Sequence, residues 1–160
     1  MLSLNDKFLY HIEQKKGSAF SQHYIGDDPC SYENGRNFTS PKCMERGLGQ
    51  GGVDCFGLII VGVCEALDWP IPSYPVTLRH VEQLDDVPEV RAPRPCDIAF
   101  YYAGGLIRHA GVVDEQEHLI HATNRGNRVI VEPLIRFTAE VRYISVANLA
   151  DLAVSRMVNS

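Results

Sequence analysis

The chain has no surplus of positive charge, no long apolar run and no cysteine-pair spacing, and each absence removes a class of function. Lysine and arginine number 15 against 20 aspartate and glutamate, a net charge of −5. A protein that neutralises a phosphate backbone needs the opposite balance, so nucleic acid is excluded as a partner. The longest apolar stretch lies around Leu58–Val63. A bilayer-spanning helix needs about 20 such residues, so membrane insertion is excluded as well. The N-terminal stretch MLSLNDKFLYHIEQKKGS lacks a basic start, an apolar segment and a small-residue cleavage site. It does not read as a secretory signal, and the chain is expected to be made in the cytoplasm, where thiols stay reduced. The cysteines number five, an odd count with no Cys-x-x-Cys pair. Neither a disulfide scaffold nor a zinc site built from Cys30, Cys43 and His23 fits that spacing.

What remains is 160 residues of ordinary globular composition, 45% apolar and 22% charged. A chain of this length can bury roughly two-thirds of its unfolded surface without staples. It is read as one domain over 1–160, with an irregular lead-in at 17–52 and the core motifs in 53–146.

Leu4, Phe8, Leu9 and Ile12 recur at helical spacing, which predicts a short helix over 3–16, capped by Ser3 or Asn5 and ended by Gly17. Residues 17–52 are rich in glycine and poor in apolar pairs, the texture of a long loop. From Val53 the sequence VDCFGLIIVGVCEALDW predicts a buried helix closed by Pro70, with Cys55 in its first turn and Cys64 on its apolar face. Residues 70–96 are proline-rich and read as an extended connection, with a short helix around His80–Leu84. Five short β-like runs follow, at Asp97–Tyr102, Arg108–Asp114, His118–Thr123, Arg128–Glu132 and Val141–Val146. A short helix is expected over Asn148–Met157. Helices first and an antiparallel meander second make an α+β fold.

Cys55 is the residue whose position carries chemistry. A helix start presents unpaired N–H groups and about half a positive charge, which stabilises a thiolate and can face an oxyanion formed beside it. A thiolate nucleophile also needs a base. His109 and His121 lie on neighbouring runs joined by a tight turn at Glu115–Glu117. A hairpin there makes them a cross-strand or diagonal pair, one imidazole as base and the other as its orienter. His118 borders the turn, while His11, His23 and His80 read as surface residues. Asp54 reads as a helix cap, and Asp97 as a group that satisfies nearby backbone. Arg108 and Arg125 border the expected cleft, either to grip a substrate carboxylate or as solvated charges.

Four motifs carry a family resemblance. Gly51-Gly52-Val53-Asp54-Cys55-Phe56-Gly57-Leu58 resembles the Asp-Cys-Ser-Gly signature of the NlpC-type cell-wall peptidases. Pro95-Cys96-Asp97-Ile98-Ala99-Phe100 resembles that family's Pro-Gly-Asp strand, His109-Ala110-Gly111-Val112-Val113 its His-Val-Gly strand, and Ile120-His121-Ala122 its Ile-His-Ala strand. They occur in the family's order and cover roughly residues 35–146. The resemblance implies a papain-like fold with Cys55 as nucleophile, His109 as base and acid, and His121 as the orienting residue. It implies hydrolysis of an amide in the stem peptides of bacterial peptidoglycan, commonly D-glutamate to a diamino acid, with no metal or organic cofactor. Phe56 in place of Ser and the glycine-rich lead-in resemble the phage and prophage tail-associated branch. That branch implies tail proteins as partners and action at the cell wall from a virion.

Two departures stand out. The tyrosine that the family often places about a dozen residues before the cysteine falls at Cys43, with Tyr32 and Phe38 nearby. Cys96 occupies the place of the glycine in Pro-Gly-Asp, which a side chain tolerates unless φ is positive. The alternatives are an acyltransferase or amidase on the same Cys-His-His layout, or a non-catalytic module of a tail tip.

Overall fold

Two helices and a five-stranded sheet arrange the site. A computed structural model describes residues 2–17, 55–69, 92–123, 128–134 and 140–154. The expectations for the lead-in, for residues 70–91 and for Asp54, Cys30, Cys43 and Arg125 lie outside these residues.

Helix α1 spans Leu4–Glu13. Ser3 caps it, not Asn5. The Ser3 hydroxyl accepts the Asp6 N–H at 3.1 Å while the Asp6 carboxylate accepts the Ser3 N–H at 3.4 Å, a reciprocal box that satisfies two end donors. The helix stops at Glu13, short of Gly17, whose N–H instead reaches the Val129 carbonyl at 2.9 Å. Phe8, Leu9 and Ile12 form its buried face.

Helix α2 spans Cys55–Leu67 and is apolar nearly all round, as a helix enclosed by protein must be. It ends before Pro70 is reached. Asp68 turns left-handed (φ 55), the Trp69 N–H returns to the Cys64 carbonyl at 2.9 Å, and the Asp68 N–H to the Glu65 carbonyl at 3.5 Å. This is the Schellman arrangement, here with aspartate where glycine is usual. Lys15 ties the two helices together. Its buried ammonium donates to Glu65 at 2.8 Å and to the His11 carbonyl at 3.0 Å, and His11 Nδ1 lies 3.0 Å from the same carboxylate. His11 is therefore an inter-helix contact rather than a plain surface residue.

The strands are β1 (Ile98–Ala103), β2 (Leu106–Val113), β3 (His118–Thr123), β4 (Arg128–Pro133) and β5 (Glu140–Ile144). All neighbours are antiparallel, in the order β4-β3-β2-β1-β5. The first four make the expected meander. The fifth leaves it and pairs with β1 at the opposite edge. The β1–β2 turn is Gly104-Gly105, with φ of 61° and 79°. A two-residue hairpin turn with both centres at positive φ matches the strand twist and suits glycine. Below it, Tyr101 faces His109 but Tyr102 faces Ile107, so Arg108 is an extra residue, a β-bulge.

Alternation gives the sheet two faces. Ile98, Phe100, Ala110, Val112, Ile120 and Ala122 are buried in the main core with α1 and α2. Ala99, Tyr101, Val113, Leu119 and Tyr143 form a smaller cluster on the other face. The chain then reaches α3 (Val146–Leu149) and a π-helical turn over Ala150–Val154. Ser145 ends β5 earlier than the sequence suggests, because its hydroxyl caps α3 by accepting the Asn148 N–H at 3.2 Å.

Candidate active site

The site begins with a turn. Between β2 and β3, one Asp114 carboxylate oxygen accepts the N–H of Gln116 at 2.9 Å and of His118 at 2.8 Å. The Asp114 N–H donates to the His118 carbonyl at 2.9 Å, and Glu117 takes φ 58. An aspartate that folds the chain onto its own carboxylate fixes turn and register together. That register pairs Val113 with Leu119 and Val112 with Ile120.

It also brings the two sequence-predicted histidines together. His109 Nε2 and His121 Nδ1 lie 2.7 Å apart, with the rings edge to face at 77° and their centroids 4.9 Å apart. Two features make room for this contact. The Arg108 bulge changes the phase of β2, so Ile107 stays with the main core while His109 lies opposite Tyr101 on the second face. Gly111 has no Cβ; one placed there would come within 2.6 Å of Leu119 Cδ1 and 3.0 Å of His121 Cβ.

A third side chain joins the pair, and sequence reasoning passed over it. On β4, Ile130 faces His121 and Glu132 faces Leu119, so Glu132 lies diagonal to His121. Its Oε2 is 2.8 Å from His121 Nε2. His121 is 1% exposed and Glu132 7%. A carboxylate this deep is ordinarily paired. The local sequence Arg-Val-Ile-Val-Glu-Pro gives no signal of this; only the β3–β4 register does.

Cys55 is the first residue of α2 and is half-buried against the main core. The helix packs over β2 and β3, the strands that carry the histidines. Its first turn is where a helix presents N–H groups without intrahelical acceptors, together with the positive end of its dipole. Phe56, in the place of the family's serine, is fully buried and packs on Phe100 with ring centroids 6.4 Å apart. It anchors the start of the helix to β1.

The remaining described cysteines are unlike Cys55. Burial, reinforced by the Glu65 carboxylate, pushes the Cys64 thiol up to about 12. Burial, reinforced by the nearby Asp6, Glu115, Asp97 and Glu13 carboxylates, pushes Cys96 up to about 11. Both stay neutral near pH 7. Cys96 takes φ 73, the left-handed conformation that a glycine at that place would adopt freely. Such a conformation costs a side-chain-bearing residue about 1–2 kcal/mol. Burial of the thiol offsets it, and Sγ donates to the Asn5 carbonyl of α1 at 3.4 Å. Asp97 satisfies the Arg94 N–H at 2.9 Å. Arg108 is exposed at the bulge, and His118 Nδ1 lies 3.7 Å from Asp114. Among the described residues, no group of three or more His, Cys, Asp or Glu side chains is arranged to hold a metal ion.

This architecture recurs in solved structures. RipD from Mycobacterium tuberculosis, described as a non-catalytic NlpC/p60 domain protein adapted to peptidoglycan binding, superposes with a TM-score of 0.58 at 18% identity, over 91% of this chain and 99% of that one. The peptidoglycan hydrolase RipB from the same organism gives 0.56 at 16% identity, over 89% of this chain and 64% of that one. NlpC1 from Trichomonas vaginalis gives 0.55 at 17%, over 89% and 43%. At these identities the likeness shows the fold alone. No curated protein sequence matches the chain. The sequence model of the NlpC/P60 family matches residues 35–147, well over half of the 160, and spans all four motifs. The chain belongs to the NlpC/P60 family.

Proposed function

We propose that the protein is a thiol hydrolase that cleaves an amide within peptidoglycan stem peptides, of the D-glutamyl–diamino acid type. The observation that carries the reading is the part-buried 2.7 Å contact between His109 and His121, on strands that pack against the helix beginning at Cys55. A solvated surface histidine needs no such partner; a general base gains orientation from one.

In this reading His109 takes the Cys55 proton. The thiolate attacks the stem carbonyl, and N–H groups at the start of α2 receive the oxyanion. The imidazolium returns its proton to the leaving amine, and water then hydrolyses the thioester. His121 holds the His109 ring.

Digestion of purified peptidoglycan, with mass analysis of the fragments, tests this. The wild type should release stem fragments cut at one amide. Cys55→Ala should release none above background, a loss on the order of 10⁴-fold or more, while keeping its melting temperature. Full release by Cys55→Ala would overturn the mechanism. A cut between sugar and stem would make the enzyme an amidase, and transfer of the acyl group to an added amine would make it an acyltransferase.

A second reading is peptidoglycan binding without cleavage, as RipD is described. It predicts cosedimentation with cell-wall sacculi and no soluble fragments. The competent residue types at positions 55, 109 and 121 favour cleavage. Association with a phage tail rests on Phe56 and the glycine-rich lead-in. It predicts that the protein copurifies with phage particles.

A further inference from the structure

Glu132 is buried, accounts for the second nitrogen of His121 and belongs to none of the four sequence motifs. Its geometry constrains the protons of both rings. A carboxylate only accepts, so His121 Nε2 must carry the proton that reaches Glu132 Oε2 across 2.8 Å. A neutral imidazole then has a lone pair at Nδ1. That nitrogen lies 2.7 Å from His109 Nε2, which must therefore be the donor. With its proton at Nε2, His109 keeps its lone pair on Nδ1, the nitrogen turned away from His121.

We propose that Glu132 is a positioning residue which, through His121, sets His109 in the one tautomer whose Nδ1 can take the Cys55 proton. Its use in catalysis rests on the hydrolase reading; the tautomer assignment rests on the two distances together with an ionised Glu132 and a neutral His121. The proton moves from Cys55 Sγ to His109 Nδ1, leaving a thiolate and an imidazolium, and no other bond changes. His121 stays neutral and Glu132 stays ionised. The negative charge at the end of the chain stabilises the imidazolium through the intervening ring. Tyr101 on β1 lies alongside, with its ring 6.0 Å from that of His109. Arg108 and Arg128 are exposed.

Glutamine at position 132 keeps the shape and removes the charge. Its amide can accept from Nε2–H or donate to a bare Nε2, so it no longer selects a tautomer. The test is nitrogen NMR of the imidazoles in the full-length wild type and in Glu132→Gln, with peptidoglycan kinetics and thermal melting beside it. In the wild type both rings should carry their proton on Nε2. In folded Glu132→Gln the tautomers should mix, and kcat should fall at least about tenfold with KM nearly unchanged, because part of the base is held in the wrong form and the imidazolium loses the negative charge that stabilises it. Glu132→Asp, which keeps the charge, should recover the wild-type tautomers. Unchanged tautomers and unchanged kcat in folded Glu132→Gln would overturn the proposal. A wild-type His121 protonated on Nδ1 would overturn it whether or not the variant folds. Wild-type tautomers as assigned, in a protein that leaves peptidoglycan uncut, would uphold the positioning and sink the hydrolase reading instead.

Discussion

The two faces of the sheet are built from the same strands, yet they do different work. Toward the helices, Ile98, Phe100, Ala110, Val112, Ile120 and Ala122 are fully buried and wholly apolar. On the other face a small cluster around Tyr101, Val113, Leu119 and Tyr143 is interrupted by His109, His121 and Glu132. The apolar face is held by area and packing, which tolerate similar shapes and penalise voids. The polar file is held by two short hydrogen bonds in sequence, each of which fixes a proton as well as a position. Strand side chains on the first face should therefore set stability, and those on the second should set the proton chemistry, while the proposed nucleophile Cys55 lies on the helix side.

The largest expected effect is on the second face. His109→Ala should lower the rate of stem cleavage by about 10²–10⁴-fold, the usual worth of a general base, with a small change in melting temperature. Kinetics on peptidoglycan, run beside a thermal melt, check this; unchanged kinetics would remove His109 as the base. Ile98→Ala is the mirror case. It should cost about 2–5 kcal/mol of stability, as for other buried aliphatic side chains cut to alanine, measured by denaturant unfolding. Activity per folded molecule should survive. If Ile98→Ala abolished chemistry in a folded protein, the division between the faces would fail.

The smallest effect concerns pH. The folded-state pKa of Cys64 is raised from about 9 to about 12. Below the unfolded value both states hold the proton, so stability is unaffected. Between about 9 and about 12 the unfolded chain releases it while the folded chain keeps it, so stability falls as pH rises. Cys64→Ala lacks this proton. The stability gap between it and the wild type should therefore narrow from pH 9 upward, and a constant gap would contradict the assignment.

The sequence makes the second face legible only in part. Cys55, His109 and His121 sit in local motifs, and the short turn between the histidines implies their pairing. The Ser3 cap and the helical period of α1 are local as well. Glu132 depends on how β3 meets β4, information that is not local to either strand. The crossing of β5 to the far edge of β1 is invisible for the same reason: an antiparallel run looks alike in either place. Val146 has a strand-like side chain, but β5 ends before it because Ser145 prefers to cap a helix. Cys96 shows the converse. A side chain in the place of the motif's glycine argues for an ordinary φ, yet the chain takes the left-handed conformation there.

The bulge at Arg108 has a consequence for how such a domain can diversify. Four consecutive pairs, from Ile98–Val112 to Tyr101–His109, lock β2 to β1 on the inner side of the extra residue. The hairpin tip beyond it, through Gly104-Gly105, is registered separately. Residues can be gained or lost at the tip without rotating His109 off its face. Evolution can thus vary the reach of this hairpin while the proton-handling geometry stays still.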